Sequence, residues 1–269
     1  AHAGKGAPDW QEMLVSPVGA GNVEDAVRAN FLVHARAGKL LDEFLGGFTL
    51  GRGDEGAYAP PVKTEDGLRI LKQAADEISD ELGFKIRIGV DVAASSLWDP
   101  SENVYVYRTE GVKLSREDQM ARVAEWVDRY ELFYVEDPLD ENDMDGFVEL
   151  SKQLRGKTLI CGDDLIVTNP KIMSEAAERK AVQAVIIKPN QVGLLTTAME
   201  TVRIAHKHGI VPVVSHRSGE PPEGHLAQLA VAWGGKLLKA GVVGGERVAK
   251  ANELLRIGEL IGKDRMVSL

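Results

Sequence analysis

The sequence predicts an α/β fold, a TIM-type (β/α)8 barrel incomplete at its N-terminal strand, from three observations. Short apolar runs recur, and each closes on a polar residue. Segments of helical periodicity lie between them. From Glu136 onward the strand-end residues arrive every 23 to 28 positions, which is the length of one strand, one helix and two loops. A doubly wound open sheet would give the same beat and stays open as the alternative.

In chain order, "WQEMLVSP" (10–17) is the first strand candidate. Two long amphipathic helices follow, "DAVRANFLVHARAGKLLDEFLGG" (25–47) and "KTEDGLRILKQAADEISDELG" (63–83), around the Gly-rich "LGRGDEGAYAPP" (50–61). The runs "IRIGVD" (86–91), "LFYVED" (132–137), "TLICGDD" (158–164), "AVIIKPN" (184–190), "PVVSHRS" (212–218) and "KLLKAG" (236–241) are the expected buried parallel strands. The alternation "VYVYR" after Asp91 suggests a small added strand or hairpin. Helices are expected over 115–130, 143–156, 169–180, 194–209 and 222–235. Ser115 and Asn169-Pro170 supply starts, while Gly209 and Gly234 supply stops. That makes seven strands, and no long linker interrupts the series.

Composition narrows the function. With 269 residues and 44% hydrophobic content, the chain has material for a large core. A formal net charge of −9 without any lysine- and arginine-rich run argues against a nucleic-acid partner. No apolar stretch approaches the roughly 20 residues of a membrane span. Cys161, the single cysteine, can form no intrachain disulfide and reads as a small buried hydrophobe; a cytoplasmic location is expected.

The chemistry is expected where the strands end, because the strand ends of a parallel barrel open onto one face. In order, those residues are Asp91, Glu136, Asp163, Lys188, the His216-Arg217-Ser218 set and Lys239. Three carboxylates on consecutive strands repel one another unless a hard divalent cation, most plausibly magnesium, is held between them. Asp137 and Asp164 adjoin two of these acids, and either member of each pair suits a ligand. A lysine ending a buried strand costs desolvation energy unless it has a partner or a task. Crowded by a second cation, one of the two is expected to lose enough basicity to act as a base. Arg217 and Ser218 offer a guanidinium fork and a hydroxyl suited to an anion. Metal and lysine together fit proton abstraction beside a carboxylate. The remaining histidines of the helical segments, His34, His206, His208 and His225, read as surface or packing groups.

At this point the chain closely resembles the archaeal-type enolases (phosphopyruvate hydratases), over essentially its whole length. "HAGKGAPDWQE", "GRGDEGAYAP", "IGVDVAASS", "VEDPLDENDMDGF", "GDDLIVTNPK", "IIKPNQVG", "VVSHRSGE" and "KAGVVGGERVAKANELLRI" carry the resemblance, in that order. It implies a lyase of glycolysis and gluconeogenesis that interconverts 2-phosphoglycerate and phosphoenolpyruvate plus water. A lysine base with Mg²⁺ stabilising an enolate-type intermediate is general for that superfamily. By resemblance Lys188 is the base, Glu55 assists departure of the hydroxyl with Glu12 beside it, and Lys239 neutralises the substrate carboxylate. Asp91, Glu136 and Asp163 hold magnesium, while His2, Gln11, His216, Arg217 and Ser218 line the substrate pocket. Gln11 and Glu12 cannot both face it without a bend or bulge.

The resemblance also implies an N-terminal capping domain, a serine-bearing loop for a second magnesium, and a first barrel strand ahead of the "HAG" motif. This sequence carries none of them, so residues 1–269 are expected to be the catalytic barrel domain alone, cut or drawn from a longer protein. A full-length homo-oligomer, dimer or octamer, is expected. "SGEPPEGH" and Leu194 depart from the family's usual residues and bear on loop closure or substrate preference. A superfamily enzyme acting on another carboxylate, or a binding protein retaining the barrel without turnover, are the competing readings.

Overall fold

The computed structural model describes residues 6–47, 49 and 51–267. Its main sheet has seven strands: β1 (Glu12–Ser16), β2 (Arg87–Asp91), β6 (Tyr134–Glu136), β7 (Leu159–Gly162), β8 (Ala184–Ile187), β9 (Val211–Ser215) and β10 (Leu237–Lys239), in that spatial order. These are the seven strands expected from the sequence. From β2 onward every neighbouring pair is parallel. Strands β3 (Trp98–Asp99), β4 (Val104–Tyr107) and β5 (Val112–Leu114) form a separate three-stranded antiparallel sheet at the expected "VYVYR" insertion.

β1 breaks the parallel pattern, pairing antiparallel with β2. The cause is the number of helices between them. One crossover helix returns the chain to start a parallel strand. Here two helices intervene, α1 (Val23–Leu45) and α2 (Thr64–Leu82), and the second reversal inverts the direction. Two consequences follow. The first residue of β1, Glu12, comes level with the last of β2, Asp91. The loop between α1 and α2, which carries Glu55, is delivered to the same rim.

Helices α3 (Arg116–Tyr130), α4 (Met144–Gln153), α5 (Pro170–Arg179), a short α6 (Pro189–Val192), α7 (Leu195–Lys207), α8 (His225–Ala232) and α9 (Gly245–Ile261) complete the chain. The expected caps form: Ser115 accepts a hydrogen bond from the Asp118 amide and Asn169 from that of Lys171, each satisfying a donor the first helical turn leaves open.

The curled sheet buries both faces, which is why its strands read as nearly continuous apolar runs. Val90, Val135, Ile160, Val185, Ile187 and Val214 point outward into one core with the helices. Tyr134, Cys161, Ala184, Ile186 and Val213 form a second cluster inside the curl. Since faces alternate along a strand, residues two beyond that plug turn to the same interior. Tyr134 is thus followed by Glu136, Cys161 by Asp163, Ile186 by Lys188 and Leu237 by Lys239, so the plug forms the floor of a polar rim.

Among the described residues β1 and β10 are the two free edges of the sheet, and the curl is an incomplete barrel. A largely apolar cavity of about 560 Å³ lies beside them, lined by β1, α1, β10 and α9. No described helix is long and apolar enough to cross a membrane.

A buried polar chain ties the start of β1 to the insertion. The Trp10 indole donates to Tyr107 Oη at 2.9 Å, Tyr107 donates to Gln119 Oε1 at 2.5 Å, and Gln119 donates to the Pro138 carbonyl at 2.9 Å. Tyr107→Phe strands the indole donor and the amide acceptor in the core, at an expected cost of about 1–3 kcal/mol. Urea unfolding of the two proteins measures it; equal stabilities would refute the chain's contribution.

Candidate active site

The rim is assembled by strand register. Glu12, Asp91 and Glu136 are direct cross-strand neighbours on β1, β2 and β6. Asp163, Lys188 and His216 each sit one residue past the end of β7, β8 and β9, and Lys239 ends β10. A pocket of about 170 Å³ opens over them, lined by Gln11, Glu12, Glu55, Asp91, Asp163, Lys188 and the residues described below. Gln11 lies in a bend just before β1, which lets it share the pocket with Glu12. Glu136 lies beneath the pocket floor, fully buried. His2 falls outside the described residues.

Two lysines offset the acid. Lys239 Nζ lies 2.8 Å from Glu136 Oε1, 2.9 Å from Asp91 Oδ2 and 3.3 Å from Glu12 Oε2. Lys188 Nζ pairs with Asp163 Oδ2. Burial by itself disfavours the charged form of both, but Asp91, Glu12 and Glu136 hold Lys239, and Asp163 holds Lys188, above the ordinary lysine value. This corrects the expectation that crowding makes one lysine less basic. Each amine has its own carboxylate, so attraction outweighs repulsion between the two cations.

The carboxylates divide into two kinds. Burial raises Asp91 and, far more, Glu136, whose neighbour Asp91 adds to the effect. Glu12 and Glu55 split apart. Burial opposes ionisation of Glu12, yet the Lys239 ammonium overrides it and keeps Glu12 a carboxylate. Burial and the adjacent Glu12 charge both raise Glu55, and the two acids share a hydrogen bond. The two shifts run in opposite directions, Glu55 up and Glu12 down, as in a pair of carboxyl groups disposed to acid and base roles.

Glu55 rides on a tight loop. Gly53 N donates to Ala57 O at 2.9 Å and Gly56 N to Gly53 O at 3.1 Å. Gly56 has φ +78°, and a Cβ there would stand 2.2 Å from the Val243 carbonyl, so only glycine seats this loop against the segment after β10. Ser218 Oγ donates to Glu55 Oε1 at 3.0 Å. Arg217 lines the same wall, its guanidinium donating to Asn190 Oδ1 at 3.1 Å.

For a divalent cation, the donor chemistry fits: hard carboxylate oxygens converge at one rim. Among the described residues Asp137, Asp163 and Asp164 have ligand atoms within 4.8 Å of one another. Asp137 is also an organiser, since its two oxygens accept the backbone amides of Asp163 and Asp164 at 2.9 and 2.7 Å from a left-handed φ of 41°. Asp163 belongs to this cluster and also pairs with Lys188, while Asp91 and Glu136 meet Lys239.

Sequence reasoning missed several supporting groups. Thr168 receives the Lys188 amide at 2.9 Å and donates to Gln191 at 2.7 Å, steadying the base of the lysine. Arg247 and Lys250, wholly buried on α9, reach the His216–Pro221 segment. Cations at i and i+3 were the available signal, hidden among the charges of a C-terminal helix.

His216 is buried, and burial together with the nearby Arg247 charge lowers its pKa from 6.5 to about 3. Unfolding releases a ring that binds a proton below pH 6.5, whereas the folded ring stays neutral until about pH 3. Stability contributed by the neutral ring is thus intact above that window and falls as pH drops through it, by about 1.4 kcal/mol per pH unit for one proton. His216→Gln removes this term. Urea-unfolding midpoints taken from pH 7 to 4 should fall less steeply for the variant, and parallel slopes would contradict the assignment.

Comparison with known proteins places the chain in a family. Residues 1–268 match the family described as "Enolase, C-terminal TIM barrel domain". The chain is 48% identical over 269 residues to the enolase of Methanothermobacter thermautotrophicus, covering all of this chain and 65% of that protein. It is 49% identical over 265 residues to that of Archaeoglobus fulgidus, covering 98% and 64%, and 46% identical over 269 residues to that of Methanosphaera stadtmanae. The chain thus spans just under two thirds of the length of these curated relatives, and over that span it belongs to the enolase family, as its C-terminal barrel domain.

Proposed function

We propose that residues 1–269 form the catalytic barrel domain of a phosphopyruvate hydratase, a carbon–oxygen lyase interconverting 2-phosphoglycerate and phosphoenolpyruvate plus water. The observation that carries it is the unequal pair Glu12 and Glu55, one shifted down and one shifted up, gathered in one small pocket with Lys188 and the buried Lys239. Dehydration of a hydroxy acid needs a base for the carbon-bound proton and an acid for the departing hydroxyl.

Lys188 is the base for the proton beside the substrate carboxylate. Glu55 gives its proton to the leaving hydroxyl, which departs as water, and Glu12 keeps that proton shared and oriented. Lys239 balances the substrate carboxylate. Arg217 and Ser218 bind phosphate through a fork and a hydroxyl, with His216 and Gln11 completing the wall; His2 is added by resemblance. An ammonium cannot accept a proton, so Lys188 serves as base when its Asp163 partner is engaged elsewhere. Asp91, Glu136 and Asp163 would hold Mg²⁺, which when bound would engage Asp163 and supply positive charge beside the substrate carboxylate. A small phosphorylated metabolite and a lone reduced thiol suit the cytoplasm, and full-length protein is expected to assemble as a homo-oligomer.

The test is magnesium-dependent formation of phosphoenolpyruvate by the protein in its full reading frame. Chelation should abolish it. Lys188→Ala should lower turnover on the order of 10²–10⁴-fold and stop exchange of the carbon-2 proton with solvent. Glu55→Gln should lose turnover but retain that exchange, because its step comes after proton removal. Wild-type turnover in Lys188→Ala would sink the assignment of the base.

A further inference from the structure

Arg247 is wholly buried one turn into α9, yet its charge goes largely to neutral acceptors. Nη1 donates to Nδ1 of His216 at 2.6 Å and to the Arg217 carbonyl at 2.6 Å. Nη2 donates to the Ser218 carbonyl at 2.7 Å and to the Asp54 carbonyl at 3.3 Å. The Glu246 carboxylate stands off from Nε at 3.6 Å. One guanidinium thus joins the loop after β9 to the loop carrying Glu55. Gly241 makes the approach possible, since a Cβ there would lie 2.6 Å from the Glu55 carbonyl and 3.2 Å from Arg247 Cγ.

The contact with His216 also fixes a proton. A guanidinium has donors only, so His216 Nδ1 must accept and the ring hydrogen of the neutral imidazole must be on Nε2. Nε2 is the atom that faces Glu55, 3.7 Å from its Oε2. One turn further along α9, Lys250 Nζ holds the Pro221 carbonyl at 2.6 Å and Glu220 Oε1 at 3.0 Å, and Glu220 Oε2 accepts the Arg217 amide at 2.9 Å.

We propose that Arg247 is a positioning residue of the site: it holds His216 as the Nε2–H tautomer, aimed at the pocket, and clamps the Arg217–Ser218 wall to the Glu55 loop, with Lys250 and Glu220 bracing the wall from behind. The assignment of that wall to phosphate rests on the function proposed above; the tautomer does not.

Nitrogen-15 spectra of histidine-labelled protein, with His216 identified by its loss in His216→Gln, test this directly. In the wild-type chain at neutral pH the ring is expected as Nε2–H, and an Nδ1–H ring would overturn the proposal. In Arg247→Met the Nδ1–H form should appear; a folded variant that keeps wild-type Nε2–H would overturn it too. If Arg247→Met does not fold, Arg247→Lys decides. Its ammonium can still donate to the ring but cannot fork to three carbonyls, so the tautomer should persist while full-length turnover on 2-phosphoglycerate falls about tenfold. Unchanged turnover in that variant would refute the clamp. Wild-type protein without any turnover would instead sink the functional reading and leave the tautomer result standing.

Discussion

Everything at the rim depends on one contact set, Lys239 Nζ among Glu12, Asp91 and Glu136. Register leaves these carboxylates no choice but to be neighbours, because they lie level on three adjacent strands. Buried like charges at such range would ionise only with great difficulty. A single ammonium ending the far strand, β10, offsets them. Removing one partner of a buried pair of this kind typically costs about 3–5 kcal/mol, because an uncompensated charge is left behind. The lysine is therefore as much a condition for folding the site as a tool within it. Lys188 stands in the same relation to Asp163.

A second property follows from the first. Lys239 keeps Glu12 ionised, and the Glu12 charge adds to burial in raising Glu55. The upward shift of Glu55 thus depends in part on the opposite edge of the sheet, through Glu12. Burial alone would raise both.

Much of this was legible in the residues, and the exceptions have physical causes. Alternation and strand-end polarity exposed Asp91, Glu136, Asp163, Lys188, His216 and Lys239, because a hydrophobic strand that ends in a charge must put that charge somewhere. The direction of β1 was not legible from its own five residues, since it is set by the parity of the helices that follow it. Glu55 in its glycine-flanked turn reads locally as an ordinary loop acid; only the resemblance marked it, and the double reversal explains its position. Arg247 and Lys250 were missed because Glu246, Arg247, Lys250 and Glu253 together look like a solvated helix face. Which of those four turns inward is a tertiary fact. The basicity of the lysines was misjudged for the same reason, as each one's distance to its own carboxylate decides the sign.

The open sheet raises the question of what keeps the site together when β1 and β10 do not pair. Three links cross between the two edges at different depths. At the rim, Glu12 meets Lys239 at 3.3 Å. Behind it, Arg247 on α9 reaches the Asp54 carbonyl in the loop that follows α1. At the far end of the helices, the Val23 amide donates to the Lys263 carbonyl at 3.1 Å and Lys263 Nζ reaches Glu24 at 2.7 Å. Gly258 lets α9 approach α1 there, since a Cβ on it would fall 2.6 Å from Val23 Cγ1. The apolar cavity lies between these ties and reaches the rim at Glu12, Glu55, His216 and Lys239. Helix packing and two buried cations therefore hold the edges in place, and ladder hydrogen bonds are not required to align the acids on β1 with the amine on β10.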